Sequence, residues 1–262
     1  MARNLVLVTG GNRGLGFEIC KKLVASGSDV LLAARNPQAG KDASARIEAD
    51  LGKKGACIPV ILDQSIPSSI DNLVDAVKAN HDQQITALFN NAGIMDQTWD
   101  KNTFDLVKMT NFTGPVTLTQ KLAPHLSQGC RVVMMSSGLG ELRGFPSSSS
   151  YLEATRSAKT ISDLEAFEFS PSDAFKSGTY VPTYRLTKGM LNRATQLLAK
   201  DPYFVSKGIT VNACCPGWCR TDMGGSRATK SPEQGADSAL WFLNLETPVN
   251  GEFRRSGELL DY

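Results

Sequence analysis

Short apolar runs alternate with longer amphipathic stretches along this chain of 262 residues. The runs are rich in Val, Leu and Ile, as expected of strands buried on both faces. Strands are predicted at Leu5–Thr9, Val30–Ala34, Cys57–Leu62, Ala87–Phe89, Arg131–Ser136 and Thr210–Cys214, with a short seventh near Gly251–Arg254. The intervening stretches are long enough for the helical crossovers that parallel strands require. The pattern predicts an α/β fold with a doubly wound parallel sheet of about seven strands and helices on both faces.

Two helices have clear boundaries in the sequence. Gly14–Ala25 follows a glycine-rich turn and ends at Ser26-Gly27, and Pro67–Lys78 has a proline in its first turn. The serine run Ser147–Ser150 is interpreted as a loop. Since no repeat or linker divides the chain, residues 1–262 are predicted to form a single domain.

Composition indicates an ordinary globular protein, with 41% hydrophobic and 21% charged residues. The 28 basic and 26 acidic residues are dispersed and leave a net charge of +2, which gives no reason to expect nucleic acid or a membrane as partner. Met1–Asn4 precede only four apolar residues, too few for a signal-peptide core. We therefore expect a cytoplasmic protein. The six cysteines show no CxxC framework with His partners, so no metal site is expected.

A glycine-rich loop lies between the first predicted strand and the first helix. It reads Thr9-Gly10-Gly11-Asn12-Arg13-Gly14-Leu15-Gly16. Glycines allow the backbone to approach a phosphate closely, and a helix N-terminus directs N–H groups and its dipole at the anion. The spacing GxxxGxG differs slightly from the GxGxxG fingerprint, but its place in the chain favours a Rossmann-type dinucleotide site.

The end of the second predicted strand discriminates between dinucleotides. An NAD site is expected to place Asp or Glu there to bind the ribose 2′-OH. Here the strand ends in Arg35, and Asp29 lies at its opposite end. Arg35 and Arg13 can instead bind a 2′-phosphate, each through a charge-assisted hydrogen bond of roughly 1.5–3 kcal/mol. We therefore predict NADP(H) as the cofactor, preferred by roughly 10²- to 10⁴-fold.

Tyr184 and Lys188 are four residues apart in a helical pattern that continues to Leu198, so both side chains lie on one helix face. A free tyrosine has a pKa of about 10 and is a poor acid at neutral pH. A lysine ammonium about 5 Å away contributes roughly 3 kcal/mol at an effective dielectric constant of 20, which is about two pK units. This pair is therefore a candidate for general acid catalysis.

Polar or glycine-bearing segments follow several other predicted strands. Asn90-Asn91-Ala92-Gly93, Ser137-Gly138 and Pro216–Thr221 each follow one, and Asn111 lies in the next helical segment. Open α/β sheets bind ligands at the carboxyl edge of their strands. We expect these segments to meet there, with Trp218 on one wall of a substrate pocket.

These motifs, in this order, resemble those of the short-chain dehydrogenase/reductase family across essentially the whole chain. The segment Asn212–Met223 and the following Ala228–Gly235 resemble the NADPH-dependent monomeric carbonyl reductases in particular. The resemblance implies that Tyr184 is the general acid and that Ser137 binds the substrate carbonyl. It implies that Lys188 lowers the pKa of Tyr184 and binds the nicotinamide ribose, and that Asn111 holds a water of a proton relay.

The same resemblance implies further contacts with the cofactor. Asp63 is expected at the adenine and Asn90 at the adenosine ribose. Cys219 and Thr221 are expected at the nicotinamide carboxamide, partly through their backbone.

A departure from most family members is the gap of 47 positions between Ser137 and Tyr184. The extra residues, 145–179, contain a predicted helix at Ser162–Phe169. Phe145, Leu164, Phe167 and Phe169 are predicted to fold over the surface that a second subunit would use, which favours a monomer. The segment is also expected to form a wall of the substrate pocket. The alternative is an unpacked surface loop.

The predicted function is NADPH-dependent reduction of small-molecule aldehydes, ketones or quinones. A second hypothesis is a specialised reductase or alcohol dehydrogenase for a steroid, terpenoid or alkaloid-like metabolite. A third is a non-catalytic NADP-binding regulator. The presence of Ser137, Tyr184 and Lys188 argues against the third hypothesis, because binding alone does not need them.

Overall fold

The computed structural model describes residues 4–262, and Met1 to Arg3, which belong to the N-terminal segment discussed above, lie outside it. The apolar runs form a single sheet in the described residues. Its strands are β1 (Leu5–Thr9), β2 (Asp29–Ala34), β3 (Cys57–Ile61), β4 (Ile85–Asn90), β5 (Leu126–Met135), β6 (Thr210–Cys214), β7 (Phe253–Arg255) and β8 (Glu258–Leu259). Their spatial order is β3-β2-β1-β4-β5-β6-β7-β8. This order confirms the doubly wound sheet, because the chain reverses its direction of progress next to β1.

The predicted parallel sheet of about seven strands is present, and an eighth strand extends it at its last edge. Strands β1 to β7 are parallel, but β8 pairs with β7 in the antiparallel direction. Ser256 and Gly257 connect the two strands, and both have positive φ angles, of 50° and 87°. A two-residue turn with two positive φ angles is the preferred connection of a β-hairpin.

Helices cover both faces of the sheet, as predicted. They are α1 (Gly14–Ala25), α2 (Pro37–Leu51), α3 (Pro67–His81), α4 (Lys101–Lys108), α5 (Gly114–Leu122), α6 (Ser150–Ser157), α7 (Ile161–Glu165), α8 (Pro182–Leu198), α9 (Pro202–Ser206) and α10 (Pro232–Leu240). Alternate residues of β1 belong to different cores: Val6 and Val8 pack with α1, α2 and α10, while Leu5 and Leu7 pack with α3, α4, α5 and α8. Successive side chains of a strand point to opposite faces, so both faces of the sheet are buried. No helix within residues 4–262 is long and apolar enough to span a membrane.

Element boundaries were predicted best where glycine or proline marks them. Helix α1 has the predicted bounds, and α3 starts as predicted but continues to His81. Strand β5 begins at Leu126, five residues earlier than predicted, because it continues through the polar residues Ser127 to Gly129. Gly129 has a positive φ of 73°, which is a local irregularity within the strand. In the sequence, Ser127-Gln128-Gly129 is typical of a loop, so the strand was predicted to start after it.

The segment 145–179 is packed rather than loose. Phe145, Leu164 and Phe167 are buried, and Phe169 is partly buried against the same core. A methyl group on Gly189 would collide with the ring of Phe145, which shows how closely the segment lies on α8. Phe175 lies among other aromatic rings, with its centroid 4.9 Å from that of Phe145 and 6.2 Å from that of Tyr151.

The helix predicted at Ser162–Phe169 was wrong in its extent, since α7 ends at Glu165. Thr160 and Asp163 form a capping box that fixes the start of α7. The serine run lies largely in a loop, as predicted, but its last residue, Ser150, begins α6. Ser149 precedes this helix, and its side chain accepts a hydrogen bond from the Tyr151 amide.

Candidate active site

The carboxyl ends of the parallel strands open into one cleft of about 1530 Å³. Most of the predicted site residues line it: Gly10, Asn12, Arg13, Gly14, Leu15, Gly16, Arg35, Asp63, Ser137, Tyr184, Lys188, Trp218, Cys219 and Thr221. Asn90 and Asn111 are not among the lining residues. The cleft therefore brings together nearly all of the residues that the sequence singles out.

The glycine-rich loop gives the cleft an anion-binding end. Gly10 has a φ of +65°, a conformation that glycine adopts without strain. A methyl group on Gly16 would collide with the carbonyl oxygen of Gly10, so only glycine allows this close turn. Helix α1 begins without a side-chain cap and without an acidic residue in its first turn. Its free N–H groups and dipole suit a phosphate, and the loop therefore fits a dinucleotide.

Asn91, in the polar segment that follows β4, holds this loop in place. Its Nδ2 donates to the carbonyl oxygens of Thr9 and Gly10, at 2.9 and 3.3 Å. Asn90 is the last residue of β4 and points the other way, with its Nδ2 bound to Thr119 Oγ1 at 2.9 Å and Met134 Sδ at 3.3 Å. Alternation along a strand places neighbouring side chains on opposite faces. The side chain of Asn90 is therefore directed into the core, while Asn91, Ala92 and Gly93 line the cleft.

The two arginines predicted to bind a 2′-phosphate differ in their surroundings. Arg35 is exposed at the end of β2 and forms no ion pair within residues 4–262. Asn36 beside it accepts a hydrogen bond from the Ala39 amide and caps α2, so no carboxylate occupies this position. Arg13 pairs with Asp222 instead, at 2.8 Å between Nη1 and Oδ2. Both partners of that pair are well exposed, and such pairs contribute about 0–1 kcal/mol.

Asp63 lines the cleft at the end of β3, as predicted. Its Oδ1 accepts hydrogen bonds from the amide and the hydroxyl of Ser65, at 3.0 and 2.6 Å. These bonds fix the carboxylate at the turn into α3.

Tyr184 and Lys188 lie one turn apart in α8, as predicted. Nζ of Lys188 is 5.6 Å from the centre of the Tyr184 ring and donates a hydrogen bond of 2.6 Å to the carbonyl oxygen of Met135. Val181 precedes the helix with a φ of +46°, which is an outlier for a β-branched residue. The strained turn and the proline after it set the start of the helix that carries both groups.

The pKa of Tyr184 differs from the expectation. Burial raises the pKa of Tyr184 to about 12, and a hydrogen bond with Ser137 offsets this only in part. Burial also lowers the pKa of Lys188 to about 8. The prediction from the sequence counted the attraction between the ammonium and the phenolate but not the cost of removing both groups from water. The tyrosine is therefore a neutral hydroxyl at physiological pH, which is the form that donates a proton.

Asn111 lies in a single π-helical turn, Met109–Thr113, between α4 and α5. Such turns occur frequently at functional sites. Its Oδ1 accepts from the Ile94 amide, and its Nδ2 donates to the Ile94 carbonyl oxygen, both at 2.8 Å. A methyl group on Gly93 would lie 3.2 Å from this Oδ1 and 3.6 Å from Nζ of Lys188. The two side chains thus approach the same point beside Gly93.

The other end of the cleft is lined by exposed apolar side chains. Trp218 is 52% exposed and donates from Nε1 to the Gly224 carbonyl oxygen at 2.8 Å. Leu106, Tyr180 and Met223 are also exposed and line the cleft. No residue of 145–179 lines it, so the prediction of a pocket wall from this segment was wrong. Its aromatic side chains pack inward on the core, and its neighbour Tyr180 reaches the cleft instead.

Two residues beside Ser137 complete this end of the cleft. Sγ of Cys215 accepts hydrogen bonds from the Gly138 amide at 3.2 Å and from Nε of Arg255 at 3.3 Å. Arg255 was not singled out from the sequence. Its position could have been found from the seventh strand, since Arg255 is the residue after the predicted end of that strand.

The cysteines of the described chain are free thiols. Cys20, Cys57 and Cys130 are buried in the core. No cluster of three or more His, Cys, Asp or Glu side chains able to hold a metal ion occurs within residues 4–262.

The fold and this cleft define a dinucleotide-dependent enzyme of the open α/β class. The sequence profile described as short chain dehydrogenase matches residues 4–163. The chain therefore belongs to the short-chain dehydrogenase/reductase family and is an oxidoreductase.

Similar proteins lie among the reductases of this family. The chain is 32% identical over 265 residues to carbonyl reductase [NADPH] 1 of Mus musculus, covering 95% of this chain and 94% of the mouse protein. It is 30% identical over 294 residues to (+)-neomenthol dehydrogenase of Arabidopsis thaliana, covering 95% of each. The solved structure of salutaridine reductase from Papaver somniferum superimposes with a TM-score of 0.81 at 24% identity, over 96% of this chain and 99% of that one. The structural similarity supports the fold alone.

Proposed function

We propose that this protein is an NADPH-dependent carbonyl reductase that converts aldehydes, ketones or quinones to the corresponding alcohols or hydroquinones. The observation that carries the proposal is the grouping of Ser137, Tyr184 and Lys188 in one cleft, with Nζ of Lys188 5.6 Å from the centre of the Tyr184 ring. The similarity to carbonyl reductase [NADPH] 1 supports the same reaction.

Tyr184, Ser137 and Lys188 have distinct roles in this reaction. Ser137 donates a hydrogen bond to the carbonyl oxygen of the substrate and orients it. Tyr184 donates its proton to the same oxygen as negative charge develops there. Lys188 remains charged below its pKa of about 8 and stabilises the tyrosinate that forms. Asn111 approaches Lys188 beside Gly93 and takes part in the return of a proton to Tyr184.

NADP(H) is the cofactor, and when bound it supplies the hydride. Gly10, Asn12, Gly14, Leu15 and Gly16 hold its phosphates at the start of α1. Arg35 binds the 2′-phosphate, and Arg13 joins it when its exposed ion pair with Asp222 opens. Asp63 meets the adenine, and the segment Cys219–Thr221 meets the nicotinamide carboxamide.

Further contacts with the cofactor come from the residues after β4 and from α8. Since the side chain of Asn90 is directed into the core, the contact proposed for Asn90 with the adenosine ribose is made through its backbone or by Asn91 to Gly93. Tyr184 and Lys188 bind the nicotinamide ribose.

A specialised reductase for a terpenoid- or alkaloid-like metabolite is the second candidate. The cleft favours an apolar substrate because Leu106, Tyr180, Trp218 and Met223 are exposed along it. The relative named (+)-neomenthol dehydrogenase supports this candidate too. A non-catalytic regulator has less support, because binding alone does not explain the buried ammonium beside a buried tyrosine.

A monomer in the cytoplasm is the proposed form of the protein. The segment 145–179 buries aromatic side chains against α8. This packing supports the proposal that the segment covers the surface of α8 that a second subunit would otherwise contact. Light scattering at micromolar concentration tests this part, and a stable dimer would contradict it.

A panel of carbonyl compounds tests the proposed reaction. We expect loss of absorbance at the reduced nicotinamide band with NADPH and with aldehydes, aryl ketones or quinones. Efficient turnover of a single terpenoid or alkaloid-like ketone, with the simple carbonyls at least 100-fold slower, would favour the second candidate. Binding of NADPH without turnover of any compound would favour the regulator.

A further inference from the structure

The cleft carries more positive than negative charge, and part of this excess has no role in the reaction described above. Seven basic side chains and three acidic ones line it. Two of the acidic residues form ion pairs, Asp222 with Arg13 and Glu141 with Arg143. Arg35 and Lys188 have proposed roles. Arg227, Lys230 and Arg255 remain, without an ion pair in the part of the chain that the structure describes.

Of these three residues, Arg255 is the one that lies against Gly138, the residue after Ser137. It is the last residue of β7, and its Nε donates to Sγ of Cys215 at 3.3 Å. Its Nη2 lies 2.5 Å from the position that a methyl group on Gly138 would occupy. Any larger residue at position 138 would collide with the guanidinium of Arg255, so glycine is needed there. Gly138 directly follows Ser137, so the guanidinium lies against the residue next to the one proposed to bind the carbonyl.

The carboxylates around Arg255 do not pair with it. Oε1 of Glu141 lies near the same point beside Gly138, but Oε2 of this residue is 2.5 Å from Nη2 of Arg143. Glu258 is exposed on β8, and neither carboxylate is within 4.0 Å of the Arg255 guanidinium. The hydrogen bond to Cys215, with the fields of Glu141 and Glu258, holds the pKa of Arg255 above its ordinary value. The side chain is therefore charged, and its two Nη groups have no acceptor within residues 4–262.

We propose that Arg255 binds a carboxylate of the substrate, so that this enzyme prefers carbonyl compounds that also carry an acidic group. This inference rests on the proposed carbonyl reductase function and specifies its substrate class. A guanidinium with two free Nη groups matches the planar, bidentate geometry of a carboxylate. Nζ of Lys230 lies 3.4 Å from the hydroxyl of Ser256, the residue after Arg255, and adds a second positive charge to this side of the cleft. Trp218 and Tyr180 provide apolar surface for the remainder of the substrate.

Matched pairs of substrates test the proposal. The first pair is 4-formylbenzoate and its methyl ester, and the second is 4-oxo-4-phenylbutyrate and its methyl ester, which is longer and flexible. In each pair the reacting carbonyl occupies the same position and the ester lacks the negative charge, and comparison of the ratio between variants cancels differences in intrinsic reactivity. We expect wild-type protein to show a higher kcat/KM for the acid than for the ester in at least one pair. In Arg255→Gln the ratio of acid to ester should fall by about 10- to 100-fold, the range of a charge-assisted hydrogen bond.

Lys200→Gln is the matched control. It removes the same charge from an exposed residue just beyond the far end of α8, more than 20 Å along the helix from Tyr184. The ratio of acid to ester should be unchanged in this variant. An equal fall in both variants would show a general effect of net charge and would overturn the proposal. A wild-type preference for the ester in both pairs would also overturn it, as would a ratio within threefold of wild type in Arg255→Gln.

A binding measurement separates this inference from the proposed reaction. Calorimetry with NADP⁺-loaded protein compares benzoate with the neutral benzamide, neither of which is reduced. We expect benzoate to bind more tightly than benzamide, and its Kd to rise at least tenfold in Arg255→Gln but not in Lys200→Gln. If no carbonyl is turned over while this pattern holds, the reaction is wrong and the anion site stands. If carbonyls are reduced and benzoate binds no better than benzamide, the anion site is wrong and the reaction stands.

Discussion

The two ends of the cleft differ in the kind of group that they present. The cofactor end, around Gly10–Gly16 and Asp63, is formed largely by backbone N–H groups, turns and short side chains fixed by hydrogen bonds. The substrate end, around Tyr180, Trp218 and Arg255, is formed by long side chains, several of them exposed. Backbone geometry suits a ligand that is always the same, whereas side chains change easily from one protein to the next. We therefore expect the first end to bind the cofactor shared by the family and the second end to select the substrate.

Tyr184→Phe should cause the largest effect, because Tyr184 lies where the two ends meet. We expect kcat/KM to fall by about 10²- to 10⁴-fold, the usual contribution of general acid catalysis. The Kd for NADPH should stay within threefold of wild type, since the removed hydroxyl is not a phosphate ligand. Steady-state kinetics and fluorescence titration with NADPH measure both quantities. Activity within threefold of wild type would remove Tyr184 from its proposed role.

Arg35→Ala should affect the cofactor end alone. The KM for NADPH should rise by about 10- to 100-fold, because one charge-assisted hydrogen bond to the 2′-phosphate is lost. The KM for NADH should change less than threefold, as NADH has no such phosphate. Arg13→Ala is the matched comparison and should have a smaller effect, because Arg13 is already paired with Asp222. Equal losses with NADPH and NADH would show that Arg35 does not recognise the phosphate.

The pH dependence of kcat/KM should reflect the titration of Lys188, which is buried beside Tyr184. Its pKa is about 8, so its ammonium is present below that pH and is lost above it. Tyr184, with a pKa of about 12, remains protonated throughout this range. We expect kcat/KM for reduction to be constant below pH 8 and to fall about tenfold per unit above it. Lys188→Arg should remove this fall, since arginine stays charged. A flat profile from pH 7 to 10 in wild type would contradict the role of Lys188.

Phe175→Ala should leave both ends of the cleft nearly unchanged. This ring is fully buried among other aromatic side chains of the segment 145–179, and its removal should lower the free energy of unfolding by about 3–5 kcal/mol. The KM values should change less than threefold at a temperature where the variant is folded, because no residue of the segment lines the cleft. Lys176→Ala, an exposed neighbour, is the control for chemical denaturation. A large change in substrate preference would mean that the segment does reach the substrate.

Local signals in the sequence were sufficient to predict the glycine-rich loop and its place at the edge of the sheet. A strand, a glycine-rich turn and a helix are consecutive in the chain, so their geometry follows from nearby residues. The antiparallel strand β8 and the inward direction of Asn90 were not predicted, because the first depends on a two-residue turn near the C-terminus and the second on strand phase. The raised pKa of Tyr184 was not predicted, because it results from burial of the side chain. The spacing of Tyr184 and Lys188 in the sequence does not reveal that burial.

The substrate end depends on contacts between distant parts of the chain. Arg255 is more than 100 positions from Gly138, and no periodicity in the sequence links them. The sequence also could not show that the aromatic side chains of residues 145–179 pack on the core and do not line the cleft. Aromatic residues are suited to either position. Motifs could identify the reaction class here, but not the side chains that select a substrate.

Isotope transfer tests the central claim, reduction of a carbonyl by hydride from NADPH, most directly. The reaction is run in ordinary water with NADPH that carries deuterium at both C4 positions, and the alcohol is examined by mass spectrometry and NMR. We predict one deuterium per product molecule, at the former carbonyl carbon, formed at least 100 times faster by wild type than by Tyr184→Phe. An alcohol with hydrogen from solvent at that carbon, or equal rates for the two proteins, would contradict this account.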